Sequence, residues 1–435
     1  MHQQTGIAFT MRKLNFLGLI ILSLGISGVL FSCQNEQETK TEIKSDAELH
    51  KLAQKLSHKY LITDGHVDLP YRLHDHMEDV SVRTEKGDFD YVRAKEGGLD
   101  VPFMSIYIPA RLQKMGGSKA LADTLIDMVE KIASDNPDKF VVVSDPQQAR
   151  SAFENGKVGL AMGMENGSPI EGNLKNIKYF HDRGIRYITL THSKDNHICD
   201  SSYDTTQTWG GLSPFGREVV REMNKTGIMV DVSHISDKTF YQVMEISEVP
   251  VIASHSSCRH FTPGFERNMN DDMIKLLAEK GGVIQINFGS TFLDSVSRAK
   301  GDEIWAKAKE WAVENKLDED DPRVWDYMIE YGREHPLNST VSVVADHIDH
   351  VIKLVGVDHV GFGSDFDGVG ETLPIGLKDA SEYPNLIYEL LKRGYSEEDI
   401  AKICSGNVMR VWQQTEDYAN ANPGESHATV KIQTH

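Results

Sequence analysis

The stretch LITDGHVDLP, Leu61 to Pro70, begins as an apolar run and ends on a histidine and an aspartate two residues apart. Successive side chains of a strand point to opposite faces, so His66 and Asp68 would project together from the strand's carboxyl end. An imidazole and a carboxylate on one face make a pair that a divalent metal can use. A short His–Asp hydrogen bond at a loop edge has the same spelling, so the surrounding chain must decide between the two.

Seven more runs of this kind follow. They are DVPFMSIYIP from Asp100, VGLAMGME ending at Glu165, IRYITLTH ending at His192, GIMVDVSH ending at His234, VPVIASHS through His255, GGVIQINF from Gly281 and HVGFGSDFDG from His359. Between them, residues 121–135, 173–183, 216–225, 271–279 and 342–355 space their apolar positions as helices do. Near-continuous apolar strands alternating with helices indicate a parallel sheet buried on both faces. Eight such units predict an α/β fold, a (β/α)8 TIM-like barrel. A doubly wound sheet is the runner-up, but no G-x-G-x-x-G follows the first strand. Residues 291–336, charged and Trp-bearing, break the alternation as a helical insertion between strands 7 and 8. In a barrel it would stand above the catalytic face as a lid or an interface element.

The polar residues gather at one place along these runs. His66 and Asp68 close the first, Glu165 the third, His192 the fourth, His234 the fifth and His255 the sixth, and the eighth carries Asp365 and Asp367. Any one of them alone would read as a buried, hydrogen-bonded side chain. Core histidines would scatter along strands, however, whereas these cluster where barrels build active sites. Imidazoles and carboxylates converging there form the inventory of a metal hydrolase, with zinc the best match and manganese or cobalt also accommodated. His74 and His76 in a polar loop, and His347 and His350 on a helix outside the barrel, read as lacking function.

Lys+Arg 46 against Asp+Glu 65 leaves a net charge of −19, with no basic tract beyond Arg12-Lys13, which argues against nucleic acid as a partner. Met11-Arg12-Lys13 and the apolar LNFLGLIILSLGISGVLFS before Cys33 spell a secretory signal. Leu30-Phe31-Ser32-Cys33 resembles a bacterial lipobox, with Phe31 bulkier than usual and Cys33 the residue to be lipidated. The expected organisation is a signal over residues 1–33, a polar tether over 34–46, the barrel over 47–415 and a polar tail over 416–435. The protein is then exported to the cell envelope, facing the periplasm or the exterior, and meets the membrane by its lipid anchor only. An uncleaved signal anchor is the alternative. Cys199, Cys258 and Cys404 allow at most one disulfide, and no C-x-x-C is present.

DGHVDLP, GMENG, RYITLTHS, DVSH, PVIASHSS, Arg267-Asn268, GFGSDFDG and GNVMRVW, in that order, resemble the motifs of the membrane (renal) dipeptidase family of zinc dipeptidases. The resemblance extends from about Leu61 to Trp412. It implies that His66, Asp68 and Glu165 hold one Zn2+ and that Glu165 bridges to a second, held by His234 and His255. A hydroxide between two such cations would attack the dipeptide carbonyl. By the same resemblance His192 donates to the developing oxyanion, and Asp365 moves the proton and holds the substrate ammonium. Arg267 presents a planar fork to the substrate carboxylate. Dipeptides with a D-residue at the second position are implied as substrates, and a homodimer is allowed. Val67 departs from the family's asparagine, and choosing Asp365 over Asp367 rests on the motif alone. The carboxyl-terminal NPGESHATVKIQTH lacks the apolar tail of a glycolipid-anchor signal, so any anchor is at Cys33. Two rivals remain: a deacylase or lactonase of the broader amidohydrolase type, which commonly opens with H-x-H and bridges through a carboxylated lysine, and an inactive lipid-anchored binding protein.

Overall fold

The computed structural model describes residues 45–318, 321–337 and 339–422. Cys33, the signal and nearly all of the tether lie outside these residues. Among the described residues nine strands run in parallel: β1 (Ile62–Val67), β2 (Leu99–Tyr107), β3 (Phe140–Val142), β4 (Val158–Glu165), β5 (Ile185–Thr189), β6 (Met229–Asp231), β7 (Ile252–Ser256), β8 (Val283–Ile286) and β9 (Val360–Phe362). Omitting β3, the others close in the order β1-β2-β4-β5-β6-β7-β8-β9, with β9 pairing back to β1 through Asp64 and Phe362. This is the expected eight-stranded barrel, its strands being the eight runs read from the sequence. β3 pairs only with the first residues of β4, Val158 to Leu160, whose later residues pair with β2 and β5.

The strands are buried because alternate residues serve two cores. Along β2, Val101 and Phe103 face the lumen with Tyr187, Met229, Ile252 and Val283, while Met104 and Ile106 pack outward under the helices. Trp412, fully buried, joins the lumen cluster from the last helix, Asn407–Ala421. That helix runs on past residue 415, where Thr415 is buried with its hydroxyl donating to the Val411 carbonyl. Local signals fix the outer helices. Ser213 and Ser236 cap Pro214–Thr226 and Asp237–Ile246, and Gly227 ends the first of these in the left-handed conformation.

The insertion between β8 and β9 folds into helices Ser290–Leu293, Ser295–Glu314 and Pro322–Glu334. It reaches the loops that follow the strands' carboxyl ends: Arg298 stacks on Phe265, 3.9 Å from the ring centroid, and Arg333 pairs with Glu371. Cys199, Cys258 and Cys404 are buried free thiols, so among the described residues no disulfide forms. No described helix is long and apolar enough to cross a membrane.

Candidate active site

His66 lies near the end of β1, Asp68 just beyond it, Glu165 at the end of β4 and His255 within β7. His192 and His234, expected at strand ends, lie three residues past β5 and β6, and Asp365 lies three residues past β9. Short acceptor side chains fold these turns. Asp64 Oδ1 accepts from the His66 and Ser364 amides at 2.8 and 3.0 Å, and Asp231 Oδ1 accepts from those of Ser233 and Ser254 at 3.0 and 2.9 Å. His234 and Asp365 sit at φ 68° and 64°, left-handed positions that non-glycine residues rarely occupy. Such strain, of order 1–3 kcal/mol per residue, persists only where the surroundings impose it, and it concentrates at working sites.

The side chains converge on Glu165. Its Oε2 lies 3.4 Å from His66 Nε2, which is itself 3.5 Å from Asp68 Oδ2. Its Oε1 lies 3.0 Å from His234 Nε2, 3.3 Å from His255 Nε2 and 3.7 Å from His192 Nε2. One carboxylate therefore turns each oxygen to a different donor set. His234 Nε2 and His255 Nε2 are only 2.8 Å apart, aimed at the same point. Asp365 also comes within 4.8 Å of His66 and His255, and Asn287 Nδ2 donates to its Oδ2 at 2.7 Å.

Burial and mutual charge set the protonation of these groups. Burial, then the charge of Arg267 or His66, holds His234 and His255 well below the ordinary imidazole range, so both are neutral. Burial alone would raise Glu165, but the imidazoles around it, His66 and His192 foremost, hold it well below the usual carboxylate range. Burial would likewise lower His66, yet Tyr187, Asp68 and Glu165 hold it well above its ordinary value. The carboxylates thus demand positive charge at this point, which a proton or a cation can supply. Asp365 is pushed up to about 8 by burial and by the charge of Asp68.

The donor set fits divalent metal. His66 Nε2 and Asp68 Oδ1 are buried with no hydrogen-bond partner, a costly state that coordination would relieve. The opposite ring nitrogens of His66 and His255 are fixed as metal-binding imidazoles require, whereas His234 Nδ1 is buried without a partner. His66 Nδ1 is 2.7 Å from the Tyr187 hydroxyl, and His255 Nδ1 is 2.7 Å from Ser254 Oγ, which donates to Asp231 Oδ2 at 2.6 Å.

Arg267 is 3% exposed and pairs with neither Glu266 nor Asp271. Its Nη1 donates to Ser256 Oγ at 2.7 Å and its Nη2 to the His255 carbonyl at 2.8 Å, while Nε has no partner. The structure separates the two aspartates after β9. Asp367 turns to Arg72, 3.2 Å from its Nε, and accepts from the Asp88 amide at 2.6 Å, whereas Asp365 stays in the cluster. His347 is fully buried, with Nδ1 accepting from the Cys258 amide and Nε2 donating to the Leu293 carbonyl. It is a structural histidine, apart from the site.

Sequence reasoning missed several supporting residues. Tyr187 fills the lumen because Gly163 leaves room: a Cβ there would lie 2.0 Å from the Tyr187 ring. Gly368 is equally forced, since its Cβ would lie 2.0 Å from Asp68 Oδ2 and 2.5 Å from Asp365 Oδ1. The available signal was a glycine directly after a catalytic-looking SDFD. Asp231 and Ser254 carried no signal beyond lying in β6 and β7.

A closed parallel barrel with buried imidazoles and carboxylates at the carboxyl ends of its strands defines a barrel metallohydrolase. Within that class, the chain belongs to the membrane dipeptidase family, peptidase family M19, whose model matches residues 50–426. It is 31% identical over 382 residues to an uncharacterized dipeptidase of Schizosaccharomyces pombe, covering 84% of this chain and 83% of that one. Among solved structures it resembles the probable dipeptidase PvdM of Pseudomonas aeruginosa, with TM-score 0.74, 26% identity, and 86% and 100% of the two chains covered. It also resembles a Rhodobacter sphaeroides metallopeptidase bound to a phosphinate mimic of L-Ala-D-Ala, with TM-score 0.67, 25% identity, and 82% and 99% covered. The protein is a metallopeptidase of the dipeptide-hydrolysing kind.

Proposed function

We propose that this chain holds two Zn2+ ions and hydrolyses dipeptides, including those with a D-residue at the second position. His66, Asp68 and Glu165 would hold one ion, and Glu165, His234 and His255 the other. The observation that carries this reading is Glu165, whose two oxygens face separate donor sets at 3.4 Å on one side and 3.0 and 3.3 Å on the other. Bound there, the cations would acidify a water and polarise the scissile carbonyl.

The remaining work falls to the chain's own side chains. His192, on the Oε1 side of Glu165, donates a hydrogen bond to the oxygen on which charge develops. Asp365, oriented by Asn287, accepts the attacking water's proton, returns it to the leaving amine and, when ionised, pairs with the substrate ammonium. Arg267 keeps donors free beyond the two it spends on Ser256 and His255, and these take the substrate carboxylate. Gripping both charged ends accounts for selection of dipeptides over longer peptides. Acceptance of a D-residue at the second position is supported by the L-Ala-D-Ala mimic bound in the Rhodobacter relative. Glu165 as the bridge, and H-x-D in place of H-x-H, weigh against the deacylase or lactonase alternative.

The amino-terminal reading completes the proposal: lipidation at Cys33 would anchor an exported enzyme at the cell envelope, and a homodimer is compatible with the family. Metal analysis joined to turnover of L,L and L,D dipeptides tests the catalytic part. Two zinc per active chain, with activity lost to chelation and restored by Zn2+, is expected. A fully active chain holding one ion would refute the two-metal account.

A further inference from the structure

His260, Asp271 and His350 come together outside the barrel mouth from three separate elements. His260 lies in the short turn Arg259–Phe261 after β7, Asp271 opens the helix Asp271–Glu279, and His350 projects from the helix Val341–Val355. His350 Nε2 is 2.8 Å from Asp271 Oδ1, and the imidazoles of His260 and His350 stack with centroids 4.4 Å apart and planes at 23°. One ligand atom from each of the three residues lies within 4.8 Å of the other two.

An unprotonated imidazole keeps a lone pair on one ring nitrogen, and from both rings these lone pairs can reach a common ion. Imidazoles with a carboxylate suit Zn2+, Ni2+ and Cu2+, whereas Ca2+ and Mg2+ prefer all-oxygen shells. The side chains of His350 and Asp271 are 16% and 38% exposed and His260 is exposed, so an ion can enter from solvent and waters can complete its shell.

We propose that His260, Asp271 and His350 form a second, peripheral transition-metal site, with Zn2+ or an ion of like preference as its ligand. The site does not depend on the catalytic reading. An ion there would join the loop over residues 257–270, which carries Phe265 and Arg267, to two outer helices. The competing account is an Asp271–His350 ion pair with a stacked ring beside it, complete without metal.

The test uses the holoenzyme with its catalytic metal in place, titrated calorimetrically with Zn2+ and in parallel with Ni2+, followed by metal counting after gel filtration. Wild type should take up one more ion per chain than His260→Ala, and Asp271→Asn should weaken that uptake tenfold or more. Added Ni2+ should raise the thermal midpoint of wild type and leave that of His260→Ala unmoved, because an ion that binds only the folded chain stabilises it. His350→Gln should match His260→Ala in both readouts. His260 is exposed, so its removal leaves the fold intact and decides the matter even if His350→Gln does not fold. Equal uptake and equal midpoint shifts in wild type and His260→Ala would overturn the proposal.

Discussion

Arg267→Ala separates substrate recognition from chemistry. The guanidinium is buried, with its fixed hydrogen bonds to Ser256 Oγ and the His255 carbonyl consuming only part of its donor capacity. A substrate carboxylate on the remaining donors would gain charge-assisted hydrogen bonding of ~1.5–3 kcal/mol. At 1.4 kcal/mol per factor of ten, losing it raises KM by roughly ten- to a hundredfold. Arg267→Lys should recover only part of this, because an ammonium cannot reproduce the planar fork. The assay is steady-state hydrolysis of a dipeptide and of its carboxamide, with metal content measured on the same samples. The carboxamide lacks the charge, so it should distinguish wild type from Arg267→Ala far less than the free acid does. Metal content should hold, since the His255 contact is to its carbonyl and leaves the imidazole free. An equal loss on acid and amide would make Arg267 a prop for the His255 strand end, and the account of dipeptide selection would fail.

Asp68→Ala or His66→Ala should lower metal content and abolish turnover with circular dichroism unchanged, because both side chains serve the cluster; full activity of metal-replete Asp68→Ala would sink the two-metal reading. Gly368→Ala should depress turnover with little loss of thermal stability, since its methyl would displace the carboxylates of Asp68 and Asp365; normal kinetics would show that the loop yields freely. Cys33→Ser should shift the protein from the membrane fraction to the soluble one, or block signal processing, while a chain beginning at Ser45 stays active; unchanged partition would favour a signal anchor. Burial holds His347 at about 4 against ~6.5 in the unfolded chain, so the unfolded state binds more protons between these values and stability falls as pH drops through that window. Between pH 7 and 5 this one group should cost about 2 kcal/mol in urea unfolding, and an identical pH dependence in His347→Gln would refute its role.

The barrel was legible because each of its eight strands is a dense β-branched or apolar run, and burial on both faces leaves little other reading of VGLAMGME or VPVIASHS. β3 escaped notice because three residues pairing with one neighbour carry too little periodicity to stand out from a loop. The cluster was legible because histidines and acidic residues are chemically conspicuous in apolar strands and arrive at the same end of successive runs. What supports them was not. Tyr187 reads as an ordinary core aromatic, and its bond to His66 depends on a register between β1 and β5 across the lumen that no local pattern encodes. The choice between Asp365 and Asp367 needed the backbone: both take positive φ, which breaks the simple alternation and sends the second side chain to Arg72.

The clustered side chains span most of the chain, from His66 to Asp365, and the seam that closes the barrel runs directly beneath them. The Asp365 amide donates to the His66 carbonyl at 3.1 Å, and the Asp68 amide to that of Phe366 at 2.8 Å. First and last strand therefore build the catalytic mouth by the same contacts that shut the ring. During synthesis, a ribosome-bound chain that has emerged only through β8 has neither the seam nor Asp365, and so lacks part of the proposed centre. Long-range closure of this kind comes late in folding, because distant segments must meet before any contact rewards them. On the role proposed for Asp365, a chain truncated before β9 would bind no dipeptide productively, and activity would arrive only with the last strand.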